Sequence, residues 1–205
     1  MNVFITNIMN KYGYAGIIFL IAIENIFPPI PSEVILTLGG FMTTQPNITM
    51  NLLGVIIAST IGSVIGAILL YYLGYILNRD RLIKICDSRI GKILRLKKED
   101  IIKSTDNFEK NGNITVFYCR FIPIVRSLIS IPAGINKMKF GIFLMYTIIG
   151  SFIWNTVLCG LGNLVGENYM MVANIFSKYS KLILILLIIW ILYKFVYKKL
   201  KNKKV

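Results

Sequence analysis

The chain has 205 residues, 56% of them hydrophobic, with a mean hydropathy of +0.68 and a net charge of +14. That is enough chain for one compact membrane domain, and so apolar a body makes nucleic acid an improbable partner for the positive charge. The absence of histidine excludes Ser-His-Asp triads, His-ligated zinc and phosphohistidine chemistry. Cys86, Cys119 and Cys159 are odd in number and lack paired spacing, so they read as buried or cytosolic thiols and not as a disulfide framework or a metal site.

Residues 1–11 form a short, weakly polar N-terminal segment whose only charge is Lys11. The apolar run Tyr14–Ile23 leads into Glu24-Asn-Ile-Phe-Pro-Pro-Ile-Pro-Ser-Glu33 without a small-residue cleavage pattern, which argues against a signal peptide. This arm is shorter than the ~20 residues that span a bilayer. Pro28, Pro29 and Pro31 forbid a continuous helix, and a second short apolar arm, Val34–Met42, follows. Two short arms around a proline-rich turn describe a re-entrant hairpin. After the uncharged loop Thr43–Met50, Leu52–Leu77 reads as a spanning helix, with Gly62, Gly66, Gly74 and Ser63 on a small-residue packing face.

From Arg79 to Lys110 ten Lys/Arg mix with six of the nine acids, and apolar residues recur at helical spacing. This predicts amphipathic helices on the membrane surface, on the cytoplasmic side by their charge bias. The next stretch, Phe117-Tyr-Cys-Arg-Phe-Ile-Pro-Ile-Val-Arg-Ser-Leu-Ile-Ser-Ile-Pro-Ala-Gly134, is apolar yet carries Arg120 and Arg126 on either side of the helix-breaking Pro123. Phe140–Val165 is a second spanning helix, and Leu182–Val196 a third, running into a lysine-rich tail expected in the cytoplasm.

Shifting the chain by 88 residues lays Thr60–Gly74 on Ile148–Gly162, with Ile61, Gly62, Ser63, Ile65, Leu73 and Gly74 recurring. Each repeat is a proline-broken hairpin followed by a spanning helix. With the polar loop inside, the two repeats take opposite orientations, as in secondary transporters. The expected fold is therefore all-α: an inverted repeat of two re-entrant hairpins, each followed by a transmembrane helix, plus a C-terminal transmembrane helix. Its parts are the segment 1–11, a membrane domain 12–166 and the C-terminal helix with its tail, 167–205. The membrane domain divides into repeat 1 (12–78), the cytoplasmic loop 79–111 and repeat 2 (112–166).

A guanidinium keeps its charge at physiological pH, and Arg at the bilayer centre costs about 3 kcal/mol on insertion scales. Arg120 and Arg126 therefore mark a polar site, and their planar forks suit the oxygens of a lipid phosphate. Snorkelling to the cytoplasmic interface is the structural alternative. Glu24 and Glu33 are candidates for charge pairing and proton coupling, or for a structural clamp between hairpins. Ser32, Ser127, Trp154 and Asn155 are candidates to line the site. Gly150 and Gly162, like the glycines of the first repeat, read as helix packing. The pattern calls for no cofactor and no metal.

These motifs together resemble the DedA family, whose membrane domain is shared with eukaryotic lipid scramblases. The resemblance rests on Glu24 with Pro-Pro-Ile-Pro-Ser-Glu33, the glycines of Gly62–Gly74, Arg120-Phe-Ile-Pro-Ile-Val-Arg126 with Ala133-Gly134, and Gly150–Trp154, covering residues 10–170. It implies a transporter of the bacterial plasma membrane that moves undecaprenyl phosphate or a phospholipid between leaflets, with protons as a coupling ion in some members. It also implies that the family's acidic pair falls on Glu24 and Glu33 and its arginine pair on Arg120 and Arg126. A polyprenyl-diphosphate phosphatase and an ion or proton antiporter are the alternative classes, and oligomeric state is left open.

Overall fold

The computed structural model describes residues 2–26, 32–46, 48–77, 81, 108, 112, 114–123 and 125–176, with 178, 179, 182, 185 and 189 beyond them. The Pro28–Pro31 turn, nearly all of the 79–111 loop, most of the Leu182–Val196 helix and the basic tail lie outside these residues. Among the described residues there is no strand. In chain order the helices are α1 (Asn2–Ile26), α2 (Ser32–Met42), α3 (Leu52–Leu77), α4 (Val125–Leu128), α5 (Ser130–Ile135) and α6 (Phe140–Val165). Residues 114–119 are also helical.

Two helical stretches are long and apolar enough to cross a membrane: α3, and α6 with its continuation to Phe176. Asn51 starts α3, its Oδ1 accepting from the Gly54 N–H at 2.7 Å, a side-chain cap that satisfies one of the donors orphaned at a helix start. At the other end of α6, Gly166 takes φ 57, a value glycine adopts without steric cost, before a 3₁₀ turn over Gly166–Asn168.

The short, weakly polar first segment is helical from Asn2, and Gly13 breaks α1 with φ 54 and ψ −129. Ile5 and Met9, one turn apart before the break, are fully buried in the main core. The arm beyond Gly13, Tyr14–Ile26, is about 20 Å long at 1.5 Å per residue, against a hydrocarbon core of about 30 Å. The break at Pro123 is where the prolines of the second hairpin predict it. Residues 120–123 form a turn, and helix resumes at Val125. Pro132 cannot donate to the Leu128 carbonyl, and α4 gives way to α5 at Ile129 in between.

The short arms pack crosswise. α2 lies against α6, and α5 lies against α3. Backbone meets backbone at both contacts. A Cβ on Gly162 would collide with the Thr37 carbonyl oxygen, and one on Gly40 with that of Cys159. Likewise a Cβ on Gly74 would collide with the Ile131 carbonyl oxygen, and one on Gly134 with that of Tyr71. Gly74 and Tyr71 fall 88 residues before Gly162 and Cys159, the same offset that relates the two sequence repeats. The first arms follow suit: a Cβ on Gly62 of α3 would lie 2.6 Å from the Ile18 carbonyl oxygen, and one on Gly150 of α6 would lie 2.8 Å from the Arg120 Cβ.

Candidate functional site

A belt of polar side chains runs through the middle of this apolar packing. Glu24 and Asn25 end α1, Ser32 and Glu33 begin α2, Ser59, Thr60 and Ser63 lie on α3, and Thr147, Ser151 and Asn155 lie on α6. Arg120, Arg126, Ser127 and Ser130 come from the broken helical stretch around Pro123. All are buried. Arg120 retains 1% of its surface, Arg126 3%, Glu33 4% and Glu24 8%, so neither arginine snorkels to an exposed edge of the protein.

The two arginines are held differently. Arg120 Nη1 donates to the Arg126 carbonyl at 2.7 Å, and its Nη2 donates to Thr147 Oγ1 at 2.8 Å and Ser130 Oγ at 3.2 Å. Its guanidinium carbon lies 5.7 Å from the centre of the Phe143 ring. Arg120 thereby ties the broken hairpin to α5 and α6, and Gly150 makes room for its side-chain stem. Arg126 has a lighter hold: Nη2 donates to Ser63 Oγ at 3.1 Å, and the buried Nη1 has no hydrogen-bond partner.

On the facing side Glu24 lies beside Ser32 and within electrostatic reach of Arg126 and of Glu33. Its buried Oε2 has no partner. Glu24 and Glu33 are thus in one buried neighbourhood with Arg126. Thr37, one turn beyond Glu33, closes its own hydrogen bond onto the Glu33 carbonyl at 2.7 Å, as hydroxyls do inside apolar helices.

Ser63, expected on the packing face of α3, is the hub of the site. Its Oγ accepts from Arg126 and from Asn155 Nδ2 at 3.5 Å, and the same amide donates to Thr60 Oγ1 at 3.2 Å. Thr60, Thr147 and Ser130 are also absent from the sequence-based site. Small hydroxyls are ordinary in membrane helices, and no spacing separates those that receive a guanidinium from those that bond their own backbone. Trp154, beside Asn155, packs edge-on to Phe176, with its indole N–H unpartnered. A cavity of about 410 Å³ between Met9, Gly13, Gln45 and Met50 contains none of the candidate residues. Among the described residues no three of His, Cys, Asp or Glu come together as a metal site would require.

Residues 30–164 match the family model described as VTT domain, a match that takes in Glu33, both arginines and both spanning helices. The chain belongs to the VTT domain (DedA) family. Several bacterial members of known sequence resemble it along nearly their whole length. An "Alkaline phosphatase-like protein" of Lactococcus lactis subsp. lactis (strain IL1403) is 54% identical over 94% of this chain and 89% of its own. "Undecaprenyl phosphate transporter A" of Staphylococcus aureus (strain NCTC 8325 / PS 47) is 38% identical over 94% of both chains. The protein of the same name from Bacillus subtilis (strain 168) is 39% identical over 93% of this chain and 91% of its own. No solved structure matches the chain. Membership of the VTT domain family, with two apolar helices of spanning length, makes this a bacterial membrane protein with relatives named as lipid-carrier transporters.

Proposed function

We propose that this protein moves a phosphate-bearing lipid, of the undecaprenyl phosphate type, between the leaflets of the bacterial plasma membrane. The observation that carries the reading is Arg126: a guanidinium 3% exposed, with one nitrogen unpartnered, set against carboxylates at a break between short helices. A charge so placed is costly unless it serves a ligand, and intramembrane charges mark substrate paths. Non-helical backbone at membrane depth is tolerated where it is buried or lines a water-filled cavity. A lipid phosphate supplies the paired oxygens that a guanidinium fork grips. The names of the Staphylococcus and Bacillus relatives support the same substrate class.

In this reading the two halves are inverted repeats of a re-entrant hairpin and a spanning helix, related by an axis in the membrane plane. The reciprocal glycine contacts of α2 with α6 and α5 with α3 support it. Arg126 grips the phosphate, Arg120 holds the hairpin that presents it, and Glu24 or Glu33 neutralises Arg126 between cycles and exchanges a proton as the lipid enters. The 79–111 loop and the tail face the cytoplasm. The experiment is lipid transfer by the purified full-length protein in vesicles, with polyprenyl phosphate as cargo. Arg126→Lys keeps the charge and loses the fork. It should cut transfer about tenfold or more while melting near the wild-type temperature. Wild-type transfer by Arg126→Lys would reject the phosphate grip.

The name of the Lactococcus relative favours a second reading, a membrane phosphatase acting on the same lipid phosphate. Ser127, buried beside Arg126, would be the residue to examine. Release of inorganic phosphate from polyprenyl phosphate or diphosphate by the purified protein separates the two classes.

A further inference from the structure

We infer that Asn155, together with Glu24, reads the hydrogen on the lipid phosphate's own P–OH group, so that the site takes a singly protonated phosphate monoester and rejects a diester of equal charge. This rests on the reading of Arg126 as the phosphate's cation.

The orientation of the Asn155 amide is fixed by its neighbours. Thr60 has one hydroxyl hydrogen, and it is directed to the Ile56 carbonyl at 2.7 Å. Thr60 Oγ1 can therefore only accept from Asn155, which places Nδ2 toward it at 3.2 Å. The other end of the amide, Oδ1, is then an acceptor. It is fully buried and has no partner. Asn25 is fixed in the same way, its Nδ2 donating to the Ile21 carbonyl at 3.1 Å and its Oδ1 left unpartnered.

The unpartnered atoms of these buried residues thus come in two kinds. Arg120 Nε, Arg126 Nη1 and Trp154 Nε1 are donors, whereas Glu24 Oε2, Asn25 Oδ1 and Asn155 Oδ1 are acceptors. A buried donor or acceptor left unmet has lost its hydrogen bond to water without a replacement, and so favours a ligand that supplies one. A phosphodiester or a fully ionised phosphate offers oxygens alone. It would satisfy the donors and strand the acceptors. A monoester with one proton brings oxygens for Arg126 and an O–H for an acceptor. The second ionisation of such a monoester falls near pH 6, so the protonated form is available in water at neutral pH.

Position narrows the choice further. Arg126 and Asn155 bond to the same Ser63 oxygen, at 3.1 and 3.5 Å. In this inference their unpartnered ends meet one phosphate group, and a donor several bonds away, such as the ammonium of phosphatidylethanolamine, fits the pair less well.

The experiment is competition for the wild-type protein in phosphatidylcholine nanodiscs, with a labelled polyprenyl monophosphate as the bound probe. The competitors are unlabelled polyprenyl monophosphate, its monomethyl ester and phosphatidylethanolamine. The ester keeps the chain and the single charge but has no P–OH, and it should compete about tenfold more weakly or worse. Asn155→Ala should narrow that gap, with Asn155→Ser in its place if the alanine variant does not fold. Equal competition by the ester, or by phosphatidylethanolamine, in the wild-type protein overturns the inference and leaves the lipid-phosphate reading standing. Absence of any binding by the monophosphate overturns both. An undiminished gap in the folded Asn155 variant overturns the role of Asn155.

Discussion

At the scale of single residues the two arginines, six apart in sequence, have separable tasks. Arg120 donates three hydrogen bonds to neutral oxygens on the hairpin, α5 and α6, among them the carbonyl of Arg126. An ammonium on a flexible stem cannot reproduce three donors in that fixed geometry. Arg120→Lys should therefore lower the melting temperature of the purified protein and its abundance in the membrane, by the equivalent of about 1–3 kcal/mol. Arg126→Lys, with a single bond to lose, should change transfer more than melting. The reverse order of effects would refute this division. The carboxylates allow a similar separation. Glu24, Glu33 and Arg126 share one neighbourhood, next to Arg120, and Glu→Gln keeps shape while removing charge and titration. If Glu33 exchanges the coupling proton, Glu33→Gln should leave transfer that no longer responds to a pH step across the vesicle. A structural carboxylate would instead reduce abundance and preserve the response, and a normal response in both Gln variants would end the coupling proposal.

At the scale of elements the small residues decide how closely helices approach. Gly162 and Gly74 lie against carbonyl oxygens of the opposing arm, where no flexible side chain can move aside for a Cβ. Gly162→Val should abolish folded protein in the membrane fraction. Gly160 provides the control, because a Cβ added there would meet nothing within 4 Å, and Gly160→Ala should be neutral or stabilising by up to about 1 kcal/mol. The spanning helices were legible because length and hydropathy alone specify them, and Leu52–Leu77 and Phe140–Val165 have the same bounds in the structure. The helix before Gly13 was not legible, because its polar residues mask a buried pair one turn apart, Ile5 and Met9. The charged residues of the site stood out by the cost of burying them. Thr60, Ser63 and Asn155 carry no such cost when bonded to one another, and only their placement reveals the link.

At the scale of the whole molecule, segregation of charge sets the expected orientation. Residues 43–50 are uncharged, whereas 79–110 and 198–204 hold most of the lysines and arginines. Single cysteines, in a background lacking Cys86, Cys119 and Cys159, should be labelled from outside at position 46 and protected at 88 and 202. Strong outside labelling at 88 would overturn the inverted arrangement.

The crosswise packing of α2 on α6 has a consequence for how the protein is made. The chain emerges from the ribosome in order, at about 5–20 residues per second, so α2 reaches the membrane roughly ten seconds before α6 exists. During that interval Thr37 and Gly40, buried in the finished protein, lack the helix they pack against. A nascent first half is therefore an incomplete object in a lipid solvent. A chain stopped before α6 should be recognised and degraded by membrane proteases, while a second half supplied as a separate polypeptide should rescue it by completing the two crossed contacts.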